Sequence, residues 1–451
     1  MNSQNKYTVI GIGIGPFNLG LAALLDPVEE LSSVFFDQSD GFDWHPGLMF
    51  SNATLQVPFL ADLVTMADPS SKFSFLNFMK ENDRLYKFYI RESFFMLRKE
   101  YNAYCQWAAS RLPNCKFSHR VVAIDHNKGL YEVAVKHTKT GEVSVHYAEK
   151  LVLGTGTSPR IPAFVQTETM PGVIHTSGYL YSRPDILKKK TVTIIGSGQS
   201  AAEVFRDLLP VTKEGLQLNW FTRSSHFFPL ENNAKLTLEL TSPEYVDHFH
   251  SLPHKSRLQL LARQSGLYKG IDEDLINEIF NTLYEMSVEE DLLNVELRSN
   301  IELGEIKVSA DGSYDLGFTH TELQKPYYSH SDFVILATGY TYKEPDFLKG
   351  IEDRIDRMES GLYNVHRYYT IDKNGGEIFV QNAELHTHGL VTPDLGMGAY
   401  RNSCIINRLL GREYYKVEKR IAFQEFGVEK TSSVSGVSEK ENMVLIAEDT
   451  K

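Results

Sequence analysis

Six short apolar runs, rich in β-branched and aromatic residues, punctuate the chain: Tyr7–Gly11, Ser33–Asp37, Lys150–Gly156, Thr191–Ile195, Leu216–Thr222 and Asp332–Gly339. Their apolar character is nearly continuous rather than alternating, which predicts strands buried on both faces, as in a parallel sheet. The first and fourth run into glycine turns followed by helical stretches, LGLAALLDP and the segment through Leu209. Between residues 226 and 302 the strings RLQLLARQSG and DEDLINEIFNTLYEM carry helical periodicity instead. No stretch approaches about 18 consecutive apolar residues, so no membrane-spanning helix is expected. The pattern predicts an α/β protein: two Rossmann-like dinucleotide-binding domains and a small helical, substrate-binding insert. The first fold is read as 1–162, regained at 366–425, and the second as 163–225, resumed at 303–365. The insert is then 226–302, and the polar, serine-rich 426–451 is a loosely held tail.

The glycine turns carry the chemistry. In Gly11-Ile-Gly13-Ile-Gly15-Pro16, small residues let backbone approach a pyrophosphate, whose charge sits on the positive end of the following helix. Pro16 departs from the usual third glycine. The next strand ends in Asp37, an acid able to accept from ribose hydroxyls. The second turn, Gly196-Ser-Gly198-Gln199-Ser200, is followed by a strand ending at Arg223 rather than at an acid. An arginine there can pair with a 2′-phosphate, which favours NADP over NAD. The runs ending at Gly156 and Gly339 carry small-Thr-Gly tips of the kind placed where a chain passes close to a bound cofactor. Two fingerprints and two tips imply two dinucleotides, FAD on the first fold and NADPH on the second.

Composition narrows the class. With 451 residues, 42% of them hydrophobic, there is apolar surface for more than one core. A formal charge of -12 argues against nucleic-acid or anionic-membrane partners. The three cysteines form no C-x-x-C pair, which excludes a zinc ribbon and a dithiol redox centre. MNSQNKYTVI carries no basic-then-apolar leader, so the expected compartment is the cytoplasm. His248, His250 and His254 fit no zinc spacing, so no metal is expected, and Cys404 reads as core. Without a dithiol, electrons from NADPH must go to another acceptor, oxygen or a quinone.

GxGPFNL with FFD, Phe42-Asp-Trp44-His45-Pro46-Gly47, Leu55-Gln56, Phe59-Leu60, Asp62-Leu63-Val64, GTGTSPRIP, GSGQSAAE, ATGY and Thr387-His388-Gly389-Leu390 stand in order along the chain. Through these motifs the chain resembles, over about residues 5–415, the flavin-dependent N-hydroxylating monooxygenases of siderophore biosynthesis. The resemblance places Gly11, Gly13, Pro16, Asp37, Trp44, His45, Gln56 and His388 on FAD, with Gln56 near the reactive face. Gly196, Gly198, Gln199, Ser200 and Arg223 fall on NADPH. The implied reaction reduces FAD with NADPH, adds oxygen at C4a and passes the distal hydroperoxide oxygen to a neutral amine. The family also implies a homo-oligomer, dimer or tetramer.

Members acting on ornithine and lysine carry a substrate-pairing lysine where this chain has Ala61, and asparagines near Leu238 and Leu267. The amino-acid anchors are therefore missing. Two acids stand in the closing motif instead, Glu384 and Asp394. A carboxylate within about 4 Å of a substrate charge is worth about 4 kcal/mol at an effective dielectric near 20. It attracts a distal ammonium and repels an α-carboxylate. The strings FLADLVTMADP, GLYKGI and PDLGMGAYRN also resemble the subset acting on cadaverine and putrescine. The reading is a diamine N-hydroxylase, with Asp394 the first choice for the distal ammonium and Glu384 the second. Histamine is an alternative, as are ornithine or lysine if Lys72 or Lys269 replaces the missing cation. Outside that chemistry stand an NADPH oxidase, a quinone reductase and a nucleotide-binding redox sensor.

Overall fold

The computed structural model describes residues 5–231, 234–289 and 292–428. Of the tail read as loosely held, 429–451 lies outside the described residues. Lys6–Ile12 pairs in parallel with both Ser33–Phe36 and Val143–Leu153, and Ile378–Val380 adds a further parallel strand to Val143–Leu153. Antiparallel strands Leu130–His137 and His119–Asn127 extend this sheet to one side. The second sheet is wholly parallel, in the order Val173–His175, Phe333–Leu336, Thr191–Ile195, Gln217–Phe221, Val295–Arg298. Its central strands are buried apart from the partly exposed Thr191, with helices Gln199–Leu208 and Glu273–Glu289 on one face and a three-stranded antiparallel sheet on the other. Both predicted glycine-turn helices form, at Pro16–Leu25 and Gln199–Leu208.

Two boundaries differ from the sequence reading. The insert read as 226–302 gives up Val295–Arg298, which pairs with Gln217–Phe221 and closes the edge of the second sheet. Its four residues alternate polar and apolar and leave no helical or continuous apolar signature. Likewise 303–365 does not belong wholly to the second fold. Leu348, Ile351, Ile355, Tyr363 and Val365 share a core with Ile10, Ile12 and Leu151 of the first sheet. A three-stranded antiparallel sheet, Ile301–Val308, Tyr314–His320 and Pro326–Ser331, lies between. The helices expected of the insert form at Lys235–Leu238, Pro243–Ser251, His254–Arg263, Gly266–Lys269 and Glu273–Glu289.

The first fold also sends a piece into the second. Leu48, Phe50 and Ala53 are buried in one cluster with Ala201, Ala202 and Phe205. They lead into the ribbon Thr54–Pro58, which pairs with Phe95–Leu97. No helix among the described residues is long and apolar enough to cross a membrane.

Candidate active site

The first glycine turn sits at the tip of Lys6–Ile12. Gly13 has φ +88, and a Cβ there would lie 2.3 Å from the Gly154 carbonyl, so only glycine fits between the two strand tips. Pro16 opens the helix Pro16–Leu25. There its missing N–H costs nothing and its fixed φ suits the first turn, which explains the departure from glycine. Neither this helix nor Gln199–Leu208 has a side-chain cap. Their first N–H groups are therefore left to an anion. Asp37 Oδ2 accepts from Ile14 N at 2.7 Å and its Oδ1 accepts from Ser39 N at 2.8 Å. The carboxylate thus holds the turn and still has lone pairs for a ribose.

Trp44 N donates to Asn102 Oδ1, and the Trp44 ring stands edge-on to Tyr101 at 5.2 Å. His45 adopts φ 51 and meets the Tyr340 ring at 5.7 Å. Tyr340 directly follows the second fold's Gly339 tip, so this is where the two folds touch. The protein around His45, helped by the Arg98 charge and partly opposed by Glu203, lowers its pKa to about 4, so it is a neutral imidazole at working pH. Gln56 Nε2 is buried without a partner, a state native interiors seldom leave unanswered. A polar ligand lying on the ribbon would satisfy it. His388 lies in the closing motif with its side chain already engaged. Its ring is fully buried, with Nδ1 against Thr387 Oγ1 and Nε2 against the Arg367 carbonyl. With both nitrogens engaged, only its backbone is left for a flavin.

At the second turn Gly196 has φ +136, and a Cβ would lie 2.2 Å from the Ala337 carbonyl. Ser200 lies in the first turn of the helix that Gly198 caps. The Gln199 side chain is already used: Nε2 donates to Glu203 and Oε1 accepts from Asp272 N at 2.8 Å. Arg223 is exposed and 3.3 Å from Glu302, a pairing of small net value that a dianion could displace. Lys269 is exposed, and its pKa is lowered by partial desolvation and by the Arg160 and Arg223 charges. Lys269 is thus within electrostatic range of Arg160 and Arg223, and a Cβ added to Gly198 would meet the Lys269 backbone carbonyl at 3.4 Å. Sequence reasoning missed Arg160 and weighed Lys269 only as a substrate anchor, because the three come from separate elements. Arg223→Ala should raise the KM for NADPH about tenfold (~1.4 kcal/mol) and leave that for NADH nearly unchanged. Steady-state NAD(P)H oxidation checks this, and equal losses would remove the 2′-phosphate role.

The substrate candidates divide. A Cβ added to Gly396 would lie 3.2 Å from Asp394 Oδ1 and 3.9 Å from the Ala61 methyl. The acid and the position without a lysine are thus brought together around one glycine. Asp394 Oδ1 accepts from Gly396 N at 2.8 Å, and burial raises its pKa, offset in part by that N–H and the Arg401 charge. Leu267 packs into the apolar cluster of Tyr245, Val391 and Met397 that flanks the Asp394 loop, whereas Leu238 is exposed. Glu384 is fully buried, 3.2 Å from the equally buried Arg401 Nε. Lys72 is bound to Asp26 at 2.8 Å on the surface. Among the described residues no group of three His, Cys, Asp or Glu could hold a metal ion.

The sequence profile of a family described as L-lysine 6-monooxygenase/L-ornithine 5-monooxygenase matches residues 5–342. The chain is 47% identical over 423 residues to a putrescine N-hydroxylase of Shewanella oneidensis, covering 93% of this chain and 84% of that one. It is 34% identical to an L-lysine N6-monooxygenase of Escherichia coli, covering 91% and 96%. Among solved structures, FAD-bound DfoA, a cadaverine monooxygenase of Erwinia amylovora, superposes with a TM-score of 0.91 at 49% identity, covering 94% of this chain and 99% of that one.

Proposed function

Because the chain belongs to the L-lysine 6-monooxygenase/L-ornithine 5-monooxygenase family, we propose that it N-hydroxylates one amine of an aliphatic diamine, putrescine or cadaverine, using FAD, NADPH and oxygen. The observation that carries the substrate is the proximity of Asp394 and Ala61 to Gly396. Arg401, the cation nearest in effect, is already paired with Glu384, so the buried charge around Asp394 is left negative. A site of that sign accepts a distal ammonium and repels the carboxylate of an amino acid. Relatives named for putrescine and cadaverine support the same reading.

FAD would lie on the Gly11–Pro16 turn, Asp37, Trp44, His45 and Gln56, and NADPH on the Gly196–Ser200 turn with Arg223, Lys269 and Arg160. When bound, FAD would supply the chemistry of taking two electrons from NADPH and activating O2 for transfer of one oxygen atom to the amine, the other leaving as water. The chain's own work is binding and orientation: Asp394 anchors one end of the diamine, and Ala61, close to that acid, leaves it without a competing internal cation. The product is a hydroxylamine, which a later acylation would turn into a hydroxamate.

The test compares putrescine, cadaverine, histamine, ornithine and lysine for hydroxylamine formed per NADPH. Diamines should couple best. Equal or better turnover of ornithine would overturn the substrate reading, and NADPH oxidation without any hydroxylamine would favour the oxidase. The site also has a pH signature. Asp394 must be ionised to hold an ammonium, and its empty-site pKa is raised. The KM for the diamine should therefore climb as the pH falls through the raised pKa of Asp394, and Asp394→Asn should abolish that limb of the profile.

A further inference from the structure

We propose that Arg98 and Glu203 are positioning residues that fix the nicotinamide-binding fold against the flavin ribbon. Arg98 opens the helix Arg98–Arg111 directly after the ribbon strand Phe95–Leu97, and its backbone N–H donates to the Ala53 carbonyl at 2.8 Å. Its guanidinium forks onto Glu203, Nη2 to Oε1 at 2.7 Å and Nη1 to Oε2 at 3.0 Å, and Nη1 also reaches the Leu48 carbonyl. Glu203 stands one turn inside the helix that the second glycine turn caps, and accepts from Gln199 at 2.9 Å. Gln199 in turn holds Asp272 at the start of the long insert helix. One chain of hydrogen bonds thus joins the ribbon carrying Gln56, the nicotinamide turn and the insert.

Burial and direction distinguish this pair from a surface contact. The two side chains keep 13% and 3% of their exposure, whereas the second tie across the same boundary, Arg206 to Asn52, is exposed. The contact around them is apolar, made by Leu48, Phe50 and Ala53, and apolar contact does not specify an angle. A bidentate guanidinium–carboxylate pair does. Replacing such a pair with apolar residues is often neutral for stability, so its role here is orientation. Hydride transfer needs reacting atoms about 3–3.5 Å apart, and a 1 Å misplacement can cost about 100-fold.

The inference rests on the two folds holding FAD and NADPH, and its test needs no amine. The double variant Arg98→Met/Glu203→Leu should keep its flavin content and melting temperature. Its flavin should be reduced by saturating NADPH, without oxygen, about 10- to 100-fold more slowly. Oxidation of the dithionite-reduced variant by oxygen should be unchanged. In the flavin-free protein, amides of residues 48–53 should exchange hydrogen faster than in wild type. Arg98→Lys, which keeps the charge but loses the fork, should fall between and covers the case in which the double variant does not fold. A reduction rate within twofold of wild type in the folded variants, or equal losses in both half-reactions, would overturn the proposal. A wild-type protein that NADPH cannot reduce would instead sink the proposed function.

Discussion

Asp394→Asn should lower kcat/KM for putrescine and cadaverine about 100- to 1,000-fold, the loss of most of an ion pair worth about 4 kcal/mol at an effective dielectric near 20. The substitution is nearly isosteric, and the asparagine oxygen can still accept from Gly396 N, the bond that Asp394 Oδ1 makes now. The turn should therefore survive, and with it stability and the rate of flavin reduction by NADPH. The deficit should lie in apparent affinity for the amine. Ala61→Lys is the complement. An ammonium placed beside Asp394 would occupy the acid internally and deny it to the substrate, so diamine turnover should fall while flavin reduction persists. Unaltered diamine affinity in Asp394→Asn would remove the acid from the substrate site.

What the sequence made legible follows the range of the interactions. Strand, glycine turn and helix are contiguous, so both phosphate cradles could be read from local pattern, and the structure builds them at Gly13 and Gly196 with positive φ. Val295–Arg298 could not be assigned this way. Its place is decided by pairing with Gln217–Phe221, a partner nearly eighty residues away, and an edge strand with half-exposed residues has no apolar signature of its own. The site repeats the lesson. Ala61 and Asp394 could each be singled out by the resemblance, but only the fold brings them to one glycine. Arg98 and Glu203, 105 residues apart, sit in no motif that pairs them. Arg223 and Lys269 could be named one at a time, whereas the effect of the Arg160 and Arg223 charges on Lys269 depends on the tertiary fold.

Glu384, the second acid in the closing motif, is expected to behave quite differently from Asp394. It is buried completely, its Oε2 accepts from Ala383 N at 2.8 Å, and Arg401 stands 3.2 Å from Oε1. Arg401 is itself wedged over the Phe17 ring at 4.6 Å and donates to the Thr392 carbonyl at 2.6 Å. It thereby connects the first glycine-turn helix with the loop that carries Asp394. Glu384→Gln would leave this guanidinium buried without its counter-charge, a change that costs about 3–5 kcal/mol. The expected result is a markedly earlier unfolding transition and weaker flavin retention, since Phe17 belongs to the turn of that helix. The paired change Glu384→Leu/Arg401→Met removes both charges and should recover most of the stability. It should also recover a diamine KM close to wild type, because Asp394 is untouched. Denaturant unfolding of the three proteins measures the first effect and amine titration the second. A stable Glu384→Gln that binds diamine poorly, with no recovery of affinity in the paired change that also removes the Arg401 charge, would show that Glu384, rather than Asp394, grips the ammonium.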